Sequence, residues 1–316
     1  MRWSDRIGRR IKLSDLHILL AVAHNGSMAK AASELAVSHP VVSRSISDLE
    51  HALGVRLLER NRRGVELTES GRAILNRSHA AFDELRQGVK DIEFLADPTS
   101  GEVRIGTSPP LAASFVSAVI DRLSRRLPRI VIQVVLETGA GRAQRRNLSE
   151  RRVDLLVYRR FAYLSDPQLS FEKLFESPYL VVAGNGNPWV RRRRFALADL
   201  MDELWALPPP DDSFGPFVLE AFRAAGLHYP HATVLGAAHD LRINLLRTGR
   251  YISILPEFLL RFPTAHTFIK KLPVDLPIAS APIGIIMLKN RTPSPVVQHF
   301  IDCAREVAKP LATRKQ

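Results

Sequence analysis

A short N-terminal segment of the chain brings together side chains that suit nucleic-acid recognition. Ser38, His39, Ser43 and Arg44 follow one another closely, and Ser27 lies a short distance upstream. Hydroxyl, imidazole and guanidinium groups hydrogen-bond to base edges and phosphate oxygens in protein–DNA complexes. The sequence contains no Walker loop, GxSxG motif or HExxH motif, and its single cysteine has no nearby histidine cluster. The residue types therefore predict binding, without a catalytic residue or a metal site.

Three short helical patterns in succession are predicted to position these side chains. We expect Ser14 to cap the first helix and Asn25-Gly26 to end it. Ser27 is predicted to cap the second helix, in which alanines at helical spacing allow close packing. Ser38 is predicted to cap the third helix, and Pro40 falls in its first turn, where the missing N–H group costs nothing.

The third helix separates apolar from polar residues by its periodicity. Its apolar stripe consists of Val42, Ile46, Leu49 and Leu53. The opposite side carries Pro40, Ser43, Arg44, Ser47 and His51. Two helices joined by a tight turn, with short polar groups and an arginine near the start of the second, are typical of a helix that enters the DNA major groove. The pattern alone also fits a three-helix bundle with an ordinary solvated face.

An arginine-rich turn lies between two short β-prone segments downstream of the third helix. The turn spans residues 60–64 and includes Arg62 and Arg63, and the flanking segments predict a β-hairpin. Arginines at the tip of such a hairpin contact phosphates or the minor groove and add salt-dependent affinity. Ordinary solvated loop charge is the alternative interpretation.

The segment from Leu16 to Gly71 resembles the winged helix-turn-helix domain of the LysR-type transcriptional regulators. The resemblance rests on GSMAKAASELAVSHPVVSRSISDLEHALGVRLLERNRRGVELTESG, which continues without a gap. It implies a DNA-binding domain at 12–70 with an operator-facing surface formed by Ser38, His39, Pro40, Ser43 and Arg44. His39 stands where the family usually has glutamine or threonine, which leaves the base preference open. Met28 stands where phenylalanine or leucine is common, which is a conservative packing change.

A long amphipathic helix is predicted after the hairpin, capped by Thr68 and ending before Asp97-Pro98. We assign residues 71–97 to this linker helix. A helix of about 28 residues is longer than a small domain is wide, so one domain cannot cover its apolar stripe. The stripe therefore needs a partner, most simply a second copy of the chain. The sequence therefore predicts a homodimer. The family resemblance implies the same paired linker and adds a homotetramer as the alternative.

Short apolar strands alternate with amphipathic helices from residue 102 onward. The predicted strands lie at 103–105, 131–136, 155–158, 180–183, 233–235, 252–255 and 283–287. The predicted helices lie around 112–126, 142–151, 215–225, 240–248 and 295–308. This alternation is typical of α/β domains and favours mostly parallel sheets with covering helices.

Three pieces of this region, RIGTSPP, RRVDLLVYR and ISILPEF, resemble strand ends of the LysR effector domain. That domain has a periplasmic-binding-protein-like fold, which implies two α/β lobes with a ligand cleft between them. We assign 102–309 to the effector-binding domain, with lobe one at 102–182 and 267–309 and lobe two at 184–265. The predicted fold is thus multidomain: an all-α winged helix-turn-helix, a long linker helix, and a two-lobed α/β domain.

Ligands of open α/β sheets bind beyond the carboxyl ends of the strands, beside helix N-termini. The residues that meet this condition form the predicted effector site: Ser108, Thr138, Tyr158, Arg159, Ser213 and His239. Ser108 and Ser213 either hydrogen-bond a ligand or cap the following helix, and the sequence favours neither role. Arg159 suits a carboxylate ligand, with an ordinary surface charge as the alternative. No cofactor other than this effector, whose identity is unknown, is expected.

Composition agrees with a DNA-binding protein of the cytoplasm. The 316 residues carry a net charge of +13, and the basic excess is spread along the chain, which suits a polyanionic partner. No apolar run is long enough for a membrane span, and the basic N-terminus lacks the apolar segment of a secretory signal. We expect neither a membrane partner nor export.

The sequence therefore predicts a LysR-type transcriptional regulator that binds double-stranded promoter DNA and a small-molecule effector. RNA polymerase is a further candidate partner. Two other functions are left open: an architectural DNA-binding protein would bind all sequences equally, and an enzyme would use the α/β region to turn over its ligand.

Overall fold

The structure is a computed structural model that describes residues 9–61, 64–136, 142–160, 166–212, 214–231, 234–236, 238–262, 267–278, 280–289 and 291–312. The chain divides into two compact units, Met1–Val89 and Lys90–Gln316. In the described part of the chain, no helix combines the length and the hydrophobicity that crossing a membrane requires.

The described part of the first unit consists of three helices, two strands and the start of a fourth helix. In chain order they are α1 (Leu13–Asn25), α2 (Met28–Glu34), α3 (His39–Leu53), β1 (Leu58–Asn61) and β2 (Gly64–Leu67), followed by the start of α4 (Glu69–Ala96). The two strands pair antiparallel, which confirms the predicted hairpin. Leu19, Val22, Val42 and Leu49 are fully buried in one core with Met28, as the helical spacing of the apolar residues predicts.

The predicted ends of these helices are confirmed at Gly26 and Thr68 but not at Ser14. Gly26 ends α1 in the left-handed conformation, with φ of 61°, and the N–H of Gly71 donates to the hydroxyl of Thr68 (2.9 Å) at the start of α4. The prediction that Ser14 caps α1 is wrong. The helix begins at Leu13 with Lys12 at the cap position, so Ser14 lies inside the first turn and cannot cap the helix.

Two glycines allow the hairpin and α4 to approach the neighbouring backbone closely. The N–H of Val65 donates to the carbonyl of Gly26 at 3.0 Å. A Cβ atom on Gly64 would lie 2.5 Å from that carbonyl oxygen, and a Cβ atom on Gly71 would overlap the carbonyl oxygen of Leu57. Any larger residue would force these backbone segments apart, so the hairpin depends on glycine at both positions.

Helix α4 carries a stripe of large apolar side chains that the single chain leaves exposed. Leu85, Val89, Ile92 and Leu95 are each more than half exposed. Their spacing of three or four residues places them on the same side of the helix. A continuous exposed stripe of this kind marks an interaction surface more often than a solvated face.

The described strands of the second unit form two larger sheets and one short strand pair. The larger sheet has the order β4 (Arg129–Leu136), β3 (Ser100–Thr107), β5 (Leu155–Arg159), β12 (Ala281–Leu288) and β6 (Leu169–Ser177). The smaller sheet has the order β10 (Ile252–Pro256), β7 (Tyr179–Gly184) and β11 (Ile269–Lys271). The short pair joins β8 (Ala206–Leu207) and β9 (Val234–Leu235).

Helices pack around these sheets and complete the cores. They are α5 (Pro109–Leu111), α6 (Ser117–Arg126), α7 (Arg142–Ser149), α8 (Gly215–Ala224), α9 (His239–Arg247), α10 (Phe258–Arg261) and α11 (Pro295–Ala312), with a π-helical segment at Ala112–Val116 and 3-10 turns at Pro188–Arg191 and Leu197–Leu200. Phe115, Phe175 and Phe300 are fully or almost fully buried in the largest core, together with Cys303. The single cysteine is therefore a packing residue.

The sheet topology corrects the prediction of mostly parallel sheets. Among the described strands, β3 runs parallel to β4 and β5, and β8 runs parallel to β9. The neighbours of β12 and of β7 are all antiparallel. Strands β6, β8 and β11 were not predicted, because β8 and β11 are very short and β6, with the sequence LSFEKLFES, mixes charged and apolar residues.

The strand pairing also bears on the predicted division into lobes. The boundary at 182–184 falls inside β7, whose hydrogen bonds to β10 and β11 keep the whole strand in the smaller sheet. Strand β11, which lies in the range assigned to lobe one, pairs with β7 as well. The smaller sheet therefore contains residues from both predicted lobe ranges.

Candidate functional site

The start of α3 presents an exposed polar face. Ser38, His39, Pro40 and Arg44 are exposed, and Ser43 is half-buried. The opposite face of the helix is buried in the core through Val42, Ile46 and Leu49. The structure thus places the five predicted residues together, on the side of α3 that faces away from the core. Ser38 occupies the predicted cap position, but its hydroxyl makes no capping hydrogen bond.

Side-chain hydrogen bonds fix α3 to the elements around it. The hydroxyl of Ser45 donates to the carboxylate of Asp15 on α1 at 2.7 Å. The carboxylate of Glu50 accepts from the N–H groups of Leu57 and Leu58, at 2.7 and 3.2 Å. These contacts hold α3, and with it the exposed polar face, against α1 and the start of the hairpin. The exposed residues therefore stand on a rigid support, which precise contacts to bases require.

The other residues predicted to contact DNA are Ser27 and the hairpin arginines Arg62 and Arg63. Ser27 lies at the start of α2, and its hydroxyl accepts from the N–H of Lys30 at a long 3.4 Å, which confirms its capping role. Its contact with DNA stays a prediction. Arg62 and Arg63 lie outside the described residues, between strands whose register pairs Asn61 with Gly64.

Four of the six predicted effector residues lie in the described part of the chain; Thr138 and Ser213 do not. Ser108 directly precedes α5, and its hydroxyl makes no capping hydrogen bond. Tyr158 is buried near the end of β5, and its hydroxyl accepts from the side-chain amide of Gln144 at 3.2 Å. Tyr158 thus already has a polar partner within the chain.

Arg159 ends β5 as a buried side chain, so the alternative of an ordinary surface charge is wrong. Its residue exposure is 5%, and its guanidinium carbon lies 4.1 Å from the centre of the Tyr179 ring. Nη2 donates a long hydrogen bond of 3.4 Å to the carbonyl of Ser177, whereas Nη1 is buried without a hydrogen-bond partner. Burial lowers the pKa of this guanidinium because it disfavours the charged form.

Arg242 on α9 is a second buried arginine, which the sequence analysis missed. Its residue exposure is 4%, and its Nε and Nη1 atoms have no hydrogen-bond partner. Burial lowers its pKa, an effect that the negative charge of Asp212 opposes. The signal in the sequence was a basic residue beside the buried Ile243 and Leu246, on the apolar side of an amphipathic helix.

Aromatic rings connect the two arginines. The Tyr179 and Phe214 ring centres lie 4.4 Å apart, and Phe217 lies within 6.5 Å of both rings. The guanidinium of Arg242 lies 6.0 Å from the Phe214 ring centre. Burial raises the pKa of Tyr179 to about 12, against the opposing charges of Arg159 and Arg242. We call these five residues the arginine–aromatic cluster.

His239 is the first residue of α9 and is buried, with 5% exposure. It precedes Arg242 by one helical turn, so both side chains lie on the same side of α9. The structure therefore brings two predicted residues, Arg159 and His239, to the surroundings of an arginine that was not predicted. The cluster connects the end of β5 in the larger sheet with β7 in the smaller sheet and with α9.

Comparisons with known proteins agree with this architecture. The family model for the "LysR substrate binding domain" matches residues 96–309, and that for the "Bacterial regulatory helix-turn-helix protein, lysR family" matches residues 13–72. The HTH-type transcriptional regulator GbpR of Azospirillum brasilense is 28% identical over 289 residues, which cover 90% of this chain and 83% of that protein.

Solved structures of similar fold cover nearly the whole chain. ArgP from Mycobacterium tuberculosis gives a TM-score of 0.68 at 22% identity and covers 95% of this chain and 98% of that one. Full-length CbnR in complex with its target DNA gives a TM-score of 0.53 at 23% identity, covering 95% and 100%. At these identities the likeness concerns the fold alone. Together with the two domain matches along the sequence, it leads to one assignment: this chain belongs to the LysR family of bacterial regulatory helix-turn-helix proteins.

Proposed function

We propose that this LysR-type transcriptional regulator recognises its operator through the start of α3 and responds to a small molecule bound in the second unit. The observation that carries the proposal is the exposed face of Ser38, His39, Pro40, Ser43 and Arg44 on a helix held by buried contacts. The relative GbpR is a transcriptional regulator, which agrees with the prediction of a function other than catalysis. Because bacterial promoters lie in the cytoplasm, we infer that the chain acts there.

Arg44 is the residue from which we expect the largest single contribution to operator binding. Arg44 is exposed in the second turn of α3. Arginine in this setting makes bidentate hydrogen bonds to guanine, or a charge-assisted bond to phosphate. Ser38 and Ser43, which precede Arg44 at the start of the helix, offer shorter hydroxyl groups that suit phosphate contacts or a second base.

The proposed regulator acts as a homodimer or a homotetramer. The exposed stripe Leu85, Val89, Ile92 and Leu95 on α4 supports pairing between two copies of the chain. Strand β4 supports a second contact, because it lies at the edge of the larger sheet and exposes Val131, Val134 and Leu136. Two DNA-binding units in one assembly predict an operator with two half-sites.

Selection of binding sites from random DNA tests the proposed function. Full-length protein at near-physiological salt is expected to enrich an inverted repeat. Arg44→Ala should weaken binding to that repeat by about 1–3 kcal/mol, which is roughly 10- to 100-fold. Arg77→Ala, which removes an exposed arginine from α4, is the matched control and should leave the affinity unchanged.

Two outcomes would count against the proposal. If Arg44→Ala and the wild-type protein bind the selected repeat with equal affinity, Arg44 does not contact the operator. Tight binding without any enriched sequence, which falls steeply with salt, would instead support an architectural DNA-binding protein.

A further inference from the structure

Two of the buried guanidinium groups in the second unit are those of Arg159 and Arg242. Arg159 and Arg242 are each at least nine-tenths buried, and each has a buried nitrogen without a hydrogen bond. Neither forms an ion pair with a carboxylate among the described residues. Asp212 is the carboxylate whose charge acts on Arg242, and Tyr179 and Tyr229 are the other titratable groups near it. Arginine stays protonated in proteins, so both positions carry a positive charge inside the chain.

The same unit shows how this chain satisfies a buried arginine when the role is structural. Arg291 has only 3% side-chain exposure, and its Nη2 lies 2.6 Å from the carboxylate of Asp154. Its Nη1 donates to the carbonyl of Val153 at 3.2 Å. A buried charge costs free energy unless it is paired and hydrogen-bonded. Arg291 meets that condition, whereas Arg159 and Arg242 do not.

The side chains around Arg159 and Arg242 indicate what kind of anion would neutralise their charges. Phe214 and Phe217 are partly exposed, and their rings lie beside Tyr179, which is the ring that Arg159 covers. Partly exposed rings next to a desolvated cation suit a ligand with an apolar body and one negatively charged group. A sugar or another neutral polar ligand would leave the guanidinium charges uncompensated.

We propose that the effector is a small organic anion, with its charged group bound by Arg159 and Arg242 and its apolar body packed against Phe214 and Phe217. This inference rests on the proposed function, because it names the chemical class of the effector that the regulator senses. The anion is an oxyanion such as a carboxylate or a phosphate ester, since both match the planar donor array of arginine.

Probe binding to the full-length protein tests the inference. The probes are benzoate, phenyl phosphate, acetate and uncharged benzyl alcohol, each measured by calorimetry and by the shift in melting temperature. Benzoate or phenyl phosphate is expected to bind at least ~10-fold more tightly than either acetate or benzyl alcohol, because only these two combine charge and apolar body. Which of the two binds better distinguishes a carboxylate from a phosphate ester.

Substitution of Arg242 separates a binding role from a structural one. Arg242→Gln should weaken the favoured probe ~10- to 100-fold, while Arg250→Gln, at an exposed arginine shortly after α9, should not. Arg242→Met should raise the melting temperature of the probe-free protein by about 2–4 °C, because it replaces an unpaired buried charge with an apolar side chain. A structural arginine would give a lower melting temperature instead.

The outcomes are distinguishable from failure of the proposed function. If neither aromatic anion binds better than benzyl alcohol, or if Arg242→Met destabilises the probe-free protein, the inference is overturned even when operator selection succeeds. If the anions bind as expected but no operator is selected, the result supports the anion site and contradicts the proposed regulatory function.

Discussion

The two regions proposed to bind DNA and the effector hold their arginines in opposite environments. Arg44 on α3 is exposed to solvent, whereas Arg159 and Arg242 in the second unit are almost completely buried. DNA presents a dense array of phosphates, so exposed charges already gain useful affinity from it. A small anion presents one charged group, and its recognition needs desolvated donors that water does not screen. Under the two proposals, the size of the partner, in addition to its charge, accounts for where the cations are placed.

The strongest test of this comparison is the buried arginine that does have a partner. Asp154 is 2% exposed and contacts both Arg291, at 2.6 Å, and Arg104, at 3.3 Å. Asp154→Asn removes the negative charge and leaves two cations uncompensated, so we expect the free energy of unfolding to fall by about 3–5 kcal/mol. Denaturant unfolding of the full-length protein measures this loss.

The matched control for Asp154→Asn is Asp302→Asn, because Asp302 forms an exposed ion pair with Arg305 at 2.8 Å. We expect a change within about 0.5 kcal/mol there. Burial opposes the charge of Asp154, but Arg291, Lys90 and Arg104 outweigh it and lower its pKa. The stabilisation is therefore complete above the ordinary pKa of about 3.9 and is lost as the pH falls through the lowered folded-state value. An Asp154→Asn protein as stable as the control would contradict the assigned role.

The second test concerns the support of the DNA-reading face. Glu50→Ala leaves the N–H groups of Leu57 and Leu58 without their acceptor. Hydrogen bonds to a charged group contribute about 1.5–3 kcal/mol, and we expect a loss of that size in the stability of the first unit, together with weaker operator binding. Circular dichroism during thermal unfolding measures the stability. Glu50→Gln keeps an acceptor oxygen and should lose less than half as much; equal losses would point to packing instead.

The smallest expected loss of stability is at Ser27. Measuring stability and operator affinity together separates its capping role from a contact with DNA. The capping hydrogen bond to Lys30 is long, at 3.4 Å, so Ser27→Ala should cost only about 0.5 kcal/mol of stability. Ser33→Ala, at an exposed position of the same helix, should cost nothing, because alanine is the better helix former. If Ser27 also contacts phosphate, operator affinity falls by more than the stability change explains. If affinity and stability fall by the same amount, Ser27 only caps the helix and does not contact DNA.

The first unit was largely predictable because local signals determine it. The spacing of Val42, Ile46 and Leu49, the cap at Ser27 and the stop at Gly26 all lie within a few residues of the helices that they define. Helical periodicity and capping preferences are properties of short segments, so they can be read directly from the sequence. The cap of α1 lies two residues before the predicted one, at Lys12 instead of Ser14, because capping preferences locate helix ends only to within one or two residues.

The second unit was less predictable because its pairing is non-local. Strand β7 lies next to β6 in the sequence but pairs with β10 and β11, which follow it by more than sixty residues. No local pattern specifies such a pairing. Arg242 was missed for a related reason: a basic residue on a helix is usually solvated, and only the approach of Phe214 and Tyr179 from other segments makes it a buried group.

The exposed stripe on α4 has a genetic consequence. If Leu85, Val89, Ile92 and Leu95 pair two copies as proposed, a copy with a defective reading face still assembles with normal copies. Mixed assemblies of this kind would engage only one half-site of the operator. A mutant allele such as one encoding Arg44→Ala would then interfere with the wild-type allele in the same cell, whereas an allele that also disrupts the stripe would be recessive.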